Sequence, residues 1–253
     1  MKQLAILGSA FLFSGILIFI SCSDSGKADQ AQQLANQVII THGAQHFATK
    51  KVSFSFRGKS YTAERRGENY IYSRAFEDSI GNVLDVLVNS SQFKRTIEGQ
   101  EIALTEEWSK RYGNSVNSVL YFVEILYHLN DAAVKKKYLG KKTIKGQPYQ
   151  VLKVTFSEEN GGDDFQDEYL YWIHEQDFTL DYLAYNYETD GGGVRFREAF
   201  DREQIGGITF QNYINYKPVP DTKDTPLESL PDLFEEGRLK ELSRIVNENI
   251  EVL

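Results

Sequence analysis

The segment 149–216 constrains the fold more than any other part of the chain. It contains five short runs rich in β-branched and aromatic residues, YQVLKVTF, EYLYWI, DFTLDYLAYNY, GVRFREAF and GITFQNYINY. Clusters of Asn, Asp, Gly, Gln and His lie between these runs, and such residues are typical of tight turns. Short strands separated by turn signals predict an antiparallel meander.

Further strands and a helix are predicted before this meander. Alternating apolar and polar residues favour short strands at 51–57, 60–65, 69–74, 82–89, 92–97 and 100–105. Leu34, Val38 and Ile39 recur at helical spacing, which predicts a helix of about three turns that ends at Gly43.

Helical patterns also follow the early strands. After Gly113, with Asn114 or Ser115 as a cap, one stripe contains Val116, Val119, Leu120, Val123, Leu126 and Tyr127. Asp131 is expected to begin a further short helix that Gly140 ends. The segment 225–228 has the residues of a capping box, with Pro226 at the first helical position. The tail 239–253 fits either a helix or closing strands, and strands are favoured.

These elements predict a β-rich α+β fold in which a curved antiparallel sheet, a half-barrel, wraps around two or three helices. A hydrophobic content of 41% supports a substantial core. Residues 30–253 are expected to form this single half-barrel domain, because no linker divides them.

Residues 1–21 have the pattern of an export signal. Lys2 gives a positive start, residues 4–20 are mostly apolar, and Ser21 precedes the only cysteine, Cys22. A small residue directly before a cysteine resembles the lipobox of bacterial lipoproteins, which implies cleavage before Cys22 and lipidation of its thiol. The alternative, a transmembrane anchor, needs about 20 apolar residues and leaves Ser21-Cys22 unexplained. Residues 22–29 are therefore expected to be a lipidated terminus and tether at the outer membrane, facing the periplasm or the cell surface.

Pairing across the turn 174–177 predicts the buried face of the meander. In a four-residue hairpin loop Tyr171 faces Leu180, and Asp181 points outward. The predicted inner face then consists of Tyr169, Tyr171, Ile173, Phe178, Leu180, Tyr182 and Ala184.

The register of the next strand decides where two arginines lie. If Tyr187 pairs with Val194, Arg195 and Arg197 point inward, where their guanidinium groups could receive a carboxylate or phosphate. A glycine bulge slips the register by one residue and places Val194 and Phe196 inside. Outward arginines are favoured, because burying an unpaired charge is costly.

The sequence gives no motif of a common catalytic or metal site, and no catalytic residue, metal or cofactor is predicted. His42 and His46 are four residues apart, but a helix end at Gly43 would separate them. The acidic loop 163–168 lacks the ligand spacing of a calcium loop and is expected to be a solvated turn. A net charge of −8 without a long basic tract argues against binding of nucleic acid.

Several phrases carry a resemblance to known proteins. GKKTIKG at 140–146 leads into YQVLKVTF, YLYWI precedes a turn, and GGI at 206–208 opens the last strand. Together with the lipobox and the order of elements, these segments make the chain resemble the lipoprotein-localisation factors LolA and LolB and related lipid-binding lipoproteins. Those proteins have a half-barrel fold. NSVLYF at 117–122 and RFRE at 195–198 are similar to an uncharacterised Bacteroidota lipoprotein family. The half-barrel resemblance implies an apolar cavity between sheet and helices, and neither resemblance implies a catalytic residue.

A ligand site is predicted between the inner face of the meander and the helix at 116–129. Its expected residues are Tyr171, Leu180, Tyr182, Phe196 and Phe210, with Arg195 and Arg197 as polar candidates. The resulting hypothesis is a membrane-anchored envelope lipoprotein that binds or carries a lipid-like or other apolar ligand.

Two alternatives remain open. One is a scaffold lipoprotein with a solid core that binds an envelope protein partner. The other is an envelope hydrolase that uses His128 with Asp131, or the loop 163–168, although a capping aspartate and a surface histidine explain the pair more simply. A cavity on the inner face would distinguish the ligand-binding hypothesis from the scaffold.

Overall fold

A computed structural model describes residues 24–66, 69–159, 165–188 and 191–253. The predicted export signal, the lipidation site Cys22 and the first two residues of the acidic loop 163–168 lie outside these ranges.

Within the described ranges there are fourteen strands and three α-helices: six strands follow α1, six follow α2 and two follow α3. The strands are β1 (Val52–Phe56), β2 (Lys59–Arg66), β3 (Asn69–Asp78), β4 (Gly81–Val88), β5 (Gln92–Ile97), β6 (Gln100–Glu101), β7 (Val134–Ile144), β8 (Gln147–Phe156), β9 (Tyr169–His174), β10 (Leu180–Tyr187), β11 (Gly193–Ile205), β12 (Ile208–Pro218), β13 (Leu239–Ile245) and β14 (Glu248–Val252). The helices are α1 (Asp24–Thr41), α2 (Glu106–Val123) and α3 (Leu230–Glu235). Short 3₁₀ turns occur at Ala44–Ala48, Tyr127–Asn130 and Leu227–Ser229.

The strands form two antiparallel sheets of seven strands each. Sheet A has the order β14-β1-β2-β3-β4-β5-β6, and sheet B has the order β13-β12-β11-β10-β9-β8-β7. The predicted fold class, β-rich with antiparallel strands around helices, is confirmed, and the five-run meander forms β8 to β12 of sheet B. The tail is strand, as favoured from the sequence, and it joins the two sheets because β13 pairs with β12 while β14 pairs with β1.

Helix α1 covers one side of the core and ends just before Gly43. The helix begins at Asp24, earlier than predicted, and buries Leu34 and Val38. Gly43 has a φ of 64°, as expected for a left-handed helix end. A Cβ atom at Gly43 would lie 1.8 Å from the carbonyl oxygen of Gly207, so only glycine fits this contact with the β11–β12 turn.

Helix α2 begins at Glu106, nine residues before the start that a cap at Asn114 predicts, so the expected cap at Asn114 or Ser115 is wrong. Its N-cap is Thr105, whose hydroxyl accepts a hydrogen bond from the backbone N–H of Trp108. Gly113 lies inside the helix and faces Leu87 and Phe93 of sheet A, so it does not mark the start of the helix. The predicted apolar stripe is present, with Val116 and Leu120 fully buried.

Other local predictions were wrong for reasons of tertiary context. The helix expected between Asp131 and Gly140 is part of β7, in which exposure alternates with a period of two. Residues 225–228 form no capping box: Pro226 precedes a 3₁₀ turn that has no side-chain cap. The strand expected at 100–105 is limited to Gln100–Glu101.

Sheet B is buried on both faces, so its sequence does not show which face contacts the helices. One face packs with α1, α2 and sheet A, and the other packs against the C-terminal residues Leu227, Leu230 and Phe234. Strand β9 is therefore buried at five consecutive positions, 169–173.

A register shift in β10 makes the predicted inner face wrong in part. Leu180 pairs with Ile173, but beyond the shift Tyr182 pairs with Trp172 and Leu183 with Tyr171. Such a shift moves every later residue to the other face. Leu183 consequently joins Tyr171 on the helix-facing side, while Tyr182 and Ala184 lie in the outer cluster.

Candidate functional site

A cavity lies between the C-terminal half of α2 and sheet B. Its volume is about 310 Å³. The cavity has three walls: α2 with the residues that follow it, the strands β11 to β13, and the segments around Phe47 and Phe56. Its apolar lining consists of Ala44, Phe47, Phe56, Val119, Phe122, Val123, Ile125, Leu126, Ile208, Phe210 and Ile245. This is the position, between the meander and the second helix, at which the sequence predicts a site.

The polar part of the lining carries positive charge only. It consists of His42, Arg57, Ser118, Tyr185, Arg197, Thr209, Gln211, Tyr213, Asn215, Ser243 and Asn247. The chain has 36 Asp and Glu residues against 28 Lys and Arg residues, yet the charged side chains of the lining are Arg57 and Arg197. The cavity is thus positive in an acidic protein.

Arg197 is a buried cation that aromatic groups hold in place. Its exposed fraction is 7%. The guanidinium carbon lies 3.8 Å from the centroid of the Phe122 ring, and Nη2 donates a hydrogen bond of 2.9 Å to the hydroxyl of Tyr185. Its Nε has no hydrogen-bond partner, and within the described ranges no carboxylate forms an ion pair with Arg197. Cation–π contacts of this kind offset only part of the cost of burying a charge.

Two one-residue shifts bring Arg197 into the cavity. The turn after β10 pairs Tyr187 with Gly193 rather than with Val194, which alone would turn Arg197 away from the predicted inner face. The shift within β10 exchanges the two faces of the strand, so the residues that follow it face the opposite side from the one predicted. Their effects cancel, so Arg197 pairs with Leu183 and points towards α2. Arg195 pairs with Tyr185 on the same side, so the sequence-based preference for outward arginines is wrong for both residues, although only Arg197 lines the cavity.

The other predicted site residues are distributed between the two faces of sheet B. Phe210 lines the cavity with Arg197, while Tyr171 and Leu180 lie in the same core cluster outside the lining. Tyr182 and Phe196 stack on each other in the outer cluster. A ligand role for these residues stays a prediction.

Arg195 has partners of its own outside the cavity. Its Nη2 donates to the hydroxyl of Tyr187, and its Nη1 lies 3.3 Å from a carboxylate oxygen of Asp221. The sequence reasoning missed Phe122, Tyr185 and Asn215, although the apolar stripe of α2 pointed to the correct wall. Only the strand registers could have identified Tyr185 and Asn215.

His42 lines the cavity as an uncharged side chain. Its Nε2 accepts a hydrogen bond of 3.0 Å from the backbone N–H of Leu180. Burial, followed by the nearby positive charge of Arg202, lowers the pKa of His42 from 6.5 to about 4. His46 does not line the cavity with it, and the described residues contain no group of three His, Cys, Asp or Glu side chains that could hold a metal ion.

The low pKa of His42 predicts a loss of stability in acid. The unfolded chain takes up a proton near pH 6.5, whereas the folded chain resists it until about pH 4. The free energy of unfolding should therefore fall by roughly 3 kcal/mol from His42 alone as the pH decreases from 7 to 4. Urea unfolding of the protein and of a His42→Gln variant, which keeps an acceptor for Leu180, measures this term. Parallel pH curves for the two proteins would contradict the prediction.

A buried polar network fixes the segment that follows α2. Glu124 is fully buried, and its carboxylate receives hydrogen bonds from both Nη atoms of Arg65, at 3.2 and 2.8 Å, and from the hydroxyl of Tyr72 at 2.7 Å. Burial opposes ionisation, but the hydrogen bonds from His128 and Arg65 outweigh it and lower the pKa of Glu124. The network holds Glu124 between the cavity residues Val123 and Ile125.

His128 belongs to this network rather than to a catalytic pair. Its Nδ1 lies 2.7 Å from Asp131, and its Nε2 lies 3.5 Å from Glu124. Burial disfavours a charged ring, yet hydrogen bonds to Asp131 and Glu124 prevail and raise the pKa of His128. Both ring nitrogens thus contact carboxylates, an arrangement that stabilises structure and leaves neither nitrogen to activate a nucleophile.

Comparisons with known proteins identify the family. The profile of a family of unknown function (DUF6503) matches residues 24–247. The chain belongs to this family. This DUF6503 protein also has the fold of a solved DUF1329 family protein from Desulfovibrio piger: the TM-score is 0.53 at 10% identity, over 89% of this chain and 92% of the other. At that identity the similarity shows the fold and nothing about ligands.

A LolA superfamily protein from Nitrosomonas europaea is also similar, with a TM-score of 0.45 at 12% identity over 87% of this chain and 92% of the other. No curated protein matches the chain. Across the described parts of the DUF6503 protein, every helix is too short or too polar to span a membrane. The expected membership of a family of unknown function is confirmed, while lipidation and a Bacteroidota origin stay predictions.

Proposed function

We propose that this protein is a membrane-anchored envelope lipoprotein that binds an apolar or lipid-like ligand in the cavity between α2 and sheet B. The export signal and Cys22 support the anchor, and residues 30–253 form the ligand-binding domain. Acyl chains on Cys22 would hold the protein at the membrane, since each buried methylene contributes about 0.8 kcal/mol.

The observation that carries this proposal is the apolar cavity itself. Protein interiors are close-packed and contain few large voids. The cavity measures about 310 Å³, within the range of roughly 300–1,000 Å³ that is typical of small-molecule sites. Aromatic and aliphatic side chains such as Phe47, Phe122 and Phe210 dominate its lining. This supports ligand binding over a scaffold with a solid core.

Filling the cavity tests the proposal. In Val119→Trp the larger ring should occupy the space beside Phe122 and lower the amount of ligand that co-purifies with the full chain by roughly tenfold. Glu107→Trp is the matched control, because Glu107 lies on the same helix but is exposed and does not line the cavity.

Mass spectrometry of organic extracts from each purified protein gives the measurement, and thermal unfolding confirms that each variant is folded. The proposal fails if the unmodified protein carries no apolar molecule, or if Val119→Trp carries as much as the control.

A further inference from the structure

We infer that the ligand is an anionic amphiphile with a single acyl chain, and that Arg197 binds its headgroup. The headgroup is a carboxylate, as in a fatty acid, or a phosphate, as in the phosphate monoester of a long-chain alcohol. This inference rests on the proposed function and specifies the ligand class of the same cavity.

The first support is an unpaired charge. Arg197 is 93% buried, and within the described ranges no carboxylate lies within ion-pairing distance of it. Removing a cation from water without a counter-ion costs several kcal/mol. The other buried arginines behave differently, because Arg74 and Arg95 both bind Asp85. An anionic ligand would supply the missing partner of Arg197.

The geometry of Arg197 leaves donors available on a fixed group. The guanidinium carbon lies over the Phe122 ring, and the Tyr185 hydroxyl accepts a hydrogen bond from Nη2. Among the described residues no acceptor binds Nε or Nη1. Nε is enclosed by protein atoms, so Nη1 and Nη2 are the donors that a carboxylate or phosphate could reach.

A second unsatisfied polar group lies beside it. Asn215 is the direct cross-strand partner of Arg197, and its buried Oδ1 also lacks a hydrogen-bond partner. The two side chains do not bond to each other, although both line the cavity. Buried polar groups in native proteins are almost always paired, so two neighbouring exceptions mark a polar end of the cavity. There the amide N–H group of Asn215, rather than its oxygen, could donate to an anionic headgroup.

The charge and size of the cavity set the ligand class. Arg57 is exposed at the cavity wall and adds a second positive charge, whereas no carboxylate belongs to the lining. A volume of about 310 Å³ lies at the lower end of the range for small-molecule sites. It favours one acyl chain over the several chains of a phospholipid or a lipoprotein.

Photoaffinity labelling of the full chain in isolated membranes tests this inference. Three probes carry the same photoreactive chain and differ in the headgroup: analogues of palmitic acid, hexadecyl phosphate and hexadecanol. The acid or the phosphate should label peptides from 118–126 or 208–215 more strongly than the alcohol, and the stronger of the two identifies the headgroup.

Two matched variants assign the effect to Arg197. In Arg197→Met, which keeps an unbranched chain over Phe122, labelling by the anionic probe should fall by roughly tenfold or more while labelling by the alcohol persists. In Arg195→Met, two residues away on the same face of β11 but bound to Asp221, labelling should not change. Thermal unfolding should show Arg197→Met to be at least as stable as the unmodified protein, because a buried unpaired charge has been removed.

The outcomes separate this inference from the proposed function. Equal labelling by the acid, the phosphate and the alcohol, unaffected by Arg197→Met, would overturn the anionic headgroup and leave an apolar ligand in place. An absence of labelled cavity peptides with all three probes would overturn both.

Discussion

Replacing Asp85 with alanine should lower the free energy of unfolding by about 3–5 kcal/mol. Asp85 is fully buried on β4 and lies between two buried arginines, Arg74 on β3 and Arg95 on β5. One oxygen accepts from Arg74 Nη2 at 2.6 Å, and the other accepts from Arg95 Nε at 2.7 Å. Alanine would leave two buried cations with no anion between them.

The loss should also loosen the contact between sheet A and α2. Arg74 donates a hydrogen bond of 2.8 Å to the hydroxyl of Ser115, and the guanidinium of Arg95 lies 3.5 Å from the ring centroid of Tyr112. Asp85 orients both arginines towards the helix. The urea concentration at the midpoint of unfolding should therefore fall. The slope of the urea transition should also fall, because a smaller part of the protein would unfold cooperatively.

Glu101→Ala is the matched control for Asp85→Ala. It removes a carboxylate from β6 of the same sheet, but the side chains of its ion pair with Lys94 are 63% and 66% exposed. Such pairs contribute about 0–1 kcal/mol. Urea unfolding at neutral pH compares the two variants. If Asp85→Ala cost no more than Glu101→Ala, the buried cluster would not hold the sheet to the helix.

Local sequence pattern predicts most strands of this fold because the pattern and the environment agree there. In β1, Val52 and Phe54 alternate with Ser53 and Ser55, and the apolar pair is buried. The prediction of which meander residues face the helices was wrong in part. Both faces of sheet B are buried, so the alternation of apolar and polar residues that reveals the register is lost. The prediction that α2 begins after Gly113 is wrong, because the helix begins at Glu106 and Gly113 packs on sheet A within it.

The position of the site was predictable from the sequence, but only two of the predicted residues line the cavity. The amphipathic stripe of α2 and the strands that follow it located the space, and Phe210 and Arg197 were named within it. Whether Arg197 faces the cavity depends on two separate one-residue shifts, and neither has a clear sequence signal. Its partner Phe122 belongs to a different element, so only the tertiary structure brings the two together.

Substituting Glu124 with alanine should cost about 3–5 kcal/mol in the free energy of unfolding and should also reduce ligand binding. Glu124 is the C-cap of α2 and the buried acceptor for Arg65, Tyr72 and His128. Without it, the guanidinium of Arg65 would remain mostly buried with no counter-ion. The adjacent residues Val123 and Ile125 line the cavity, so movement of this segment should alter the wall that contacts the ligand.

The same substitution should change how stability depends on pH. The raised pKa of His128 means that its contribution is fully present below pH 6.5, the value for the unfolded chain, and is lost as the pH rises through the higher value of the folded state. Glu124→Ala removes one of the two carboxylates that raise this pKa, so the decline on the alkaline side of pH 6.5 should become smaller. Urea unfolding between pH 6 and 9 measures the difference from the unmodified protein.

A double variant distinguishes a buried charge that has lost its partner from a simple loss of packing. Arg65→Leu with Glu124→Leu replaces the ion pair by apolar groups, a change that is often neutral or stabilising in other proteins. The double variant should therefore recover most of the stability that Glu124→Ala loses, and with it the ligand that co-purifies with the full chain. Glu107→Ala, an exposed carboxylate in the first turn of the same helix, should cost less than about 1 kcal/mol. If the double variant were as unstable as Glu124→Ala, the network would act through its packing and its bonds to Tyr72 and His128 rather than through charge.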